Sequence, residues 1–368
     1  MLPSQWWYLQ QSYQHNDYVR SACFNNTGTL LATASDDKKT RMFDVKEKKE
    51  VASFPHNDYV RSACFNNTGA LLVTVSMDKQ TRIFDVQTQK EIVSFSHNSY
   101  VNSACFNNTG TLLATASYDK TARMFDVKEK KEIALFPHND CVRSACFNNT
   151  GTLLATASSD KTARMFDVQT HKEIASFPHN GWVNSACFNN TGTLLSTASD
   201  DKTARMFDVQ EKKEIAPFPH DGCVNSACFN NTGTLLVTAS NDKTARMFDV
   251  QEKKEVAFFE HDGSVNSVCF NNTGTLLATA SSDGKARIFA RYDIYTLDQL
   301  ILKKAFNSWL LVEKPDKRLD NLEKLLADVA CKHECSYDAL FAAWKTFPEY
   351  MQAALRRTMQ HRIQKYGK

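Results

Sequence analysis

Seven histidines, His15, His56, His97, His138, His179, His220 and His261, stand 41 residues apart, and the sequence between them repeats almost word for word. A repeat of this length commits a chain to an architecture in which each unit buries its apolar faces against the next. The first unit contains four short β-type runs and no helical period. YVRSACF alternates apolar and polar residues, and Asn25, Asn26, Thr27 and Gly28 make a turn. TLLATAS follows, then a tight turn over Asp36 to Lys39, then TRMFDV, a charged loop and EVASF.

Four strands per unit of this length predict one propeller blade, and stacked blades explain strands that are apolar on both sides. The last repeat breaks off after Ala290 with three strands, while YLQQSYQ precedes His15 as EVASF precedes the next histidine. Residues 8–14 are therefore expected to supply the missing fourth strand, so that no sheet edge stays open. The predicted fold class is mainly β: a seven-bladed propeller over 1–293, followed by a small all-α helical bundle over 294–368.

Over roughly residues 8–290 the chain resembles the WD40 repeat family. The resemblance implies a buried hydrogen-bonded set per blade, carried onto His15, Thr33, Asp37 and Phe43 in the first. The family's Trp-Asp pair is Phe-Asp here, from Phe43 and Asp44 to Phe248 and Asp249, and becomes Phe289 and Ala290 in the last unit. Phenylalanine lacks the indole N–H, so the expectation is a truncated His, Thr and Asp network with the ring as packing. His, Asp and Thr grouped together also suggest a hydrolytic triad. A constellation present in every blade is architecture, and no P-loop, GxSxG or HExxH motif occurs, so no catalytic residue is expected.

The copies differ at a few offsets. Three residues after each histidine come Tyr18, Tyr59, Tyr100, Cys141, Trp182, Cys223 and Ser264; five after come Arg20, Arg61, Asn102, Arg143, Asn184, Asn225 and Asn266. Twenty-one after come Asp36, Met77, Tyr118, Ser159, Asp200, Asn241 and Ser282. The resemblance places these offsets around the mouth of the central channel, on the family's usual partner-binding face. Tyr18, Arg20, Tyr59, Arg61, Met77, Tyr100, Tyr118, Arg143 and Trp182 are the expected contacts for a protein or peptide, because Tyr, Trp and Arg dominate interface hot spots. Lys38, Lys79, Lys120, Lys161, Lys202 and Lys243 could form a ring near the same mouth.

The 44 basic and 41 acidic residues leave a net charge of +3, too weak a field to recruit nucleic acid or an anionic membrane. The opening MLPSQWWYLQQSY has neither a basic n-region nor a signal-length apolar run, which predicts a cytoplasmic protein. Seven of the 11 cysteines share one position in SACF or SVCF, and one blade of separation should keep them too far apart to bond. NNT at Asn25 and its six equivalents fits the glycosylation pattern, but without a signal peptide the expected reading is a strand-connecting turn, for which Asn and Gly are suited.

Beyond Asp293 the spacing turns helical. Thr296 and Gln299 suit a capping box, Ile301, Leu302, Ala305, Phe306 and Trp309 form one face, and further helices are expected over 320–333, from Ser336 and from Pro348. Cys331, His333 and Cys335 lack a fourth zinc ligand. The expected function is a non-enzymatic interaction scaffold without cofactor or small-molecule substrate, monomeric, with a possible second protein on the tail. The alternative is a substrate adaptor of a ubiquitin-ligase-like or host-directed machine, recruited through that tail.

Overall fold

A computed structural model of the chain describes residues 7–291. The chain divides into two compact units, Met1–Ala290 and Arg291–Lys368. The helices expected after 293 lie outside the described residues. Among the described residues, no helix is long and apolar enough to cross a membrane.

The described residues form seven four-stranded antiparallel sheets. The first blade runs Val19–Phe24, Leu30–Ser35, Lys39–Asp44 and Lys49–Pro55, hydrogen-bonded in chain order. The next five blades repeat that order. In the seventh, Val265–Phe270, Leu276–Ser281 and Lys285–Arg291 are completed by Trp7–Gln14 as the outermost strand. The His15 N–H continues this junction by donating to the Gly284 carbonyl at 2.8 Å. First strands of neighbouring blades pack on one another and encircle the central channel.

Period-two alternation puts Leu31, Thr33 and Ser35 on one face of the second strand and Ala32 and Ala34 on the other, and all five are buried. Each blade interface has its own apolar core. One unites Ala114, Ala116, Met124 and Phe136 of the third blade with Val142, Phe147, Leu154 and Phe166 of the fourth. The alanines let the twisted sheets approach, and the outer-strand phenylalanine fills the space against the next blade's third strand, as with Phe54 and Phe84 at 4.6 Å between ring centroids. Tyr13 takes that place in the closing strand, stacked 4.1 Å from Phe43.

One irregularity recurs. In the first blade Val19 pairs with Ser35 but Ser21 pairs with Ala34, so Arg20 is an extra residue, and the same shift occurs in the other six first strands. Such a bulge re-aims the side chain it carries. The bulged positions are Arg20, Arg61, Asn102, Arg143, Asn184, Asn225 and Asn266, all of which line the channel.

Candidate functional site

The buried set behind the face is built from the histidine that ends each outer strand. His15 Nε2 sits 2.8 Å from Thr33 Oγ1, its Nδ1 donates to the Tyr13 carbonyl at 3.2 Å, and its ring stands edge-on to Phe43 at 5.9 Å. Asp37 lies elsewhere in this blade, paired with Arg41 Nη1 at 2.6 Å. The aspartate reaches the histidine in other blades, at 3.0 Å between His138 and Asp160 and 2.8 Å between His220 and Asp242. Sequence reasoning passed over the arginine, although every blade carries the aspartate–arginine pair, from Asp37 and Arg41 to Asp283 and Arg287. An Asp followed four residues later by Arg across the hairpin was the available signal.

Burial keeps these histidines neutral. It lowers the pKa of His15, His56, His97, His179 and His261 to about 4, and the neighbouring guanidinium lowers it further. Burial resists ionisation of Asp242, yet hydrogen bonds from Thr244 and His220 outweigh it and bring its pKa to about 2. Two blades depart from the pattern. Where the others carry alanine, the first two blades have Thr40 and Thr81 on the third strand, and these face His56 and His97 at 3.5 and 3.2 Å. Thr74 and Thr115, which hold the Thr33 position in those units, are left with unpaired buried hydroxyls among the described residues.

The channel mouth is a cavity of about 380 Å³ lined by the bulged residues and by a ring of serines from Ser21 to Ser267. Here the offsets five and twenty-one meet in five of the seven blades. Arg20 forms an ion pair with Asp36, Arg143 Nε donates to Ser159 Oγ at 2.8 Å, and Asn184 donates to Asp200 at 2.6 Å. Asn225 bonds Asn241 at 2.8 Å and Asn266 bonds Ser282 at 3.1 Å. Asn102, Asn184, Asn225 and Asn266 also donate to a valine carbonyl of the next blade, stitching the ring. In the second blade the partner position holds Met77, and among the described residues Arg61 has neither hydrogen bond nor ion pair.

Around this cavity Tyr18, Tyr59, Tyr100 and Trp182 are exposed, Trp182 by 46%. Tyr118 lies edge-on to Tyr100 at 5.9 Å, and the Arg143 guanidinium sits 5.9 Å from the Tyr118 ring and 4.7 Å from that of Trp182. Tyr100, Tyr118, Arg143 and Trp182 thus form one aromatic and cationic arc over three blades. Arg20 lies 5.3 Å from the Tyr18 ring. The lysines stand apart from this lining: Lys38 and Lys120 sit at positive φ in their turns and reach the carbonyls of Asn57 and Asn139 in the adjacent blades.

The repeat cysteines are free thiols, as expected, with Cys23 Sγ 3.9 Å from Cys64 Sγ, in contact and unbonded. The first strands converge on the axis, which shortens the step between equivalent positions. Neighbouring thiols and burial push Cys105 well above the usual thiol range. Among the described residues no cluster of His, Cys, Asp or Glu is arranged to hold a metal ion. Asn25 is buried, and its Oδ1 accepts the Leu30 N–H at 3.0 Å, so its carboxamide is spent on the turn.

No curated protein matches the sequence. A family profile described as WD domain, G-beta repeat matches residues 7–44, 48–85, 89–126, 130–167, 171–208, 212–249 and 253–289. The first match begins on Trp7–Gln14, the strand that completes the seventh blade, and ends on the third strand of the first, so the profile's unit straddles two sheets. Profile and sheet order agree over well more than half the chain: it belongs to the WD40 repeat family.

Proposed function

We propose that this propeller is a non-enzymatic scaffold that binds a protein or peptide segment on the face carrying Tyr18, Arg20, Tyr59, Arg61, Met77, Tyr100, Tyr118, Arg143 and Trp182. WD40 propellers typically serve as protein–protein interaction scaffolds. The observation that carries the assignment to this face is the arc of Tyr100, Tyr118, Arg143 and Trp182 beside an open polar cavity. Aromatic rings offer large contact area at low entropic cost, and a guanidinium held between two of them is already oriented for a partner.

The test is site-specific photo-crosslinking from position 182, on this face, and from Asn26, in a first-blade strand-connecting turn. A protein partner should crosslink from 182 and not from 26. Its capture should fall by roughly 30-fold in Tyr118→Ala plus Trp182→Ala, the scale of one hot spot. Identical crosslinks from both positions, or capture indifferent to the double variant, would remove this face as the binding surface.

A further inference from the structure

We infer that the channel mouth around Arg61 receives an oxyanion group, a phosphoryl group in preference to a carboxylate, carried on the bound peptide segment. The inference rests on the scaffold reading above and names the chemistry of its partner.

Three guanidiniums, of Arg20, Arg61 and Arg143, line one cavity. Their counter-charges are unequal. Arg20 has the carboxylate of Asp36; Arg143 has only the neutral hydroxyl of Ser159. Arg61 faces the position where Met77 replaces either, and it has no polar partner among the described residues. Asp200, at the Asp36 position of the fifth blade, is held by Asn184. The three arginines with Asp36 therefore leave two positive charges in excess within the lining.

Arg61 also stands close to the other two guanidiniums. Burial lowers its pKa, and the charge of Arg20 and then that of Arg143 lower it further, with Tyr118 and Asp36 acting in the opposite sense. A half-buried cation beside two others is well prepared for an anion, since a guanidinium offers paired donors that match phosphoryl or carboxylate oxygens. The rest of the lining is hydroxyl and carboxamide, which donates without adding charge. A dianion balances the two excess charges, and a carboxylate balances one. The cavity, about 380 Å³, holds one such group with water to spare. The aromatic arc at the rim would then grip the chain on either side of it.

The experiment uses the full chain and three peptide libraries with randomised flanks and a fixed central phosphoserine, glutamate or serine. The expected result is at least tenfold greater recovery of phosphoserine than of serine peptides, with glutamate between them. That preference should vanish in Arg61→Gln. It should also vanish in Met77→Asp, which keeps the guanidinium but gives it the internal partner that Arg20 already has. Equal recovery of all three libraries, lost on Tyr118→Ala plus Trp182→Ala, would overturn the oxyanion site and leave the scaffold face standing. No recovery from any library would overturn the site as a peptide receptor, and only indifference in the crosslinking test above would remove the face itself. Binding of inorganic phosphate with no peptide preference would overturn the peptide-borne source.

Discussion

Acid should unfold this ring before the carboxyls of Asp119, Asp160, Asp201 and Asp242 protonate. His15, His56, His97, His179 and His261 have their pKa lowered from 6.5 to about 4, by burial first and then by Arg41, Arg82, Arg123, Arg205 and Arg287 in turn. Released from the fold, each takes up its proton near 6.5, so between the two values the unfolded chain holds more protons and stability falls as pH falls. Each contribution is fully present above the unfolded value and is spent as pH drops toward the folded one. Linkage gives about 1 to 2 kcal/mol lost per histidine at pH 5.5, against a small fraction of that at pH 7. Five sites in separate blades sum to roughly 6 kcal/mol, comparable with the whole stability of an ordinary domain at about 5–15 kcal/mol. The carboxyls of Asp119, Asp160, Asp201 and Asp242 are held below their ordinary 3.8, so their protonation lies beneath this window and offsets nothing. Urea unfolding followed by circular dichroism at pH 7.0, 6.25 and 5.5 should show the midpoint collapsing, with about four protons taken up per chain on unfolding at pH 5.5. His261→Gln should reduce the pH dependence by at most about one fifth, since the pKa values of His138 and His220 are lowered too. A midpoint unchanged between pH 7.0 and 5.5, or uptake of less than one proton, would refute the argument.

Two stability effects follow from the unpaired groups. Thr81→Ala should free His97 to bond Thr115, whose buried hydroxyl has no partner among the described residues, and raise stability by about 1 kcal/mol; a loss of that size on chemical unfolding would contradict it. Tyr13→Phe removes a buried hydroxyl that is likewise unpaired and restores the ring that Phe54 supplies at the next interface, so a gain of about 1 kcal/mol is expected by thermal or urea unfolding, and a loss would show that the hydroxyl is stabilising.

The blades were legible because a period of 41 residues and alternation within it are properties of the chain alone. The offset-five positions that line the channel were legible because near-identical copies expose the positions where they differ. What escaped depends on pairing. The bulge that turns Arg20 into the channel exists only once Val19 and Ser21 have chosen Ser35 and Ala34. The link between offsets five and twenty-one also needed the fold, although Arg20 with Asp36 and Arg61 with Met77 carried its trace in the text. The switch of His56 and His97 toward Thr40 and Thr81 required seeing that the third strand of one blade lies beside the histidine of the next. The cysteines stay unbonded as expected, although Cys23 and Cys64 bring their sulfurs into contact near the axis.

Joining Trp7–Gln14 to Lys285–Arg291 imposes an order of events on synthesis. A ribosome releases the closing strand first and its neighbour some 270 residues later, as the Gln14–Gly284 hydrogen bond spans 270 positions. Throughout that interval the emerging segment must wait, while six look-alike third strands are made and each is claimed by the outer strand that follows it. The short reach from every third strand to its own successor is what reserves the last vacancy for the first arrival.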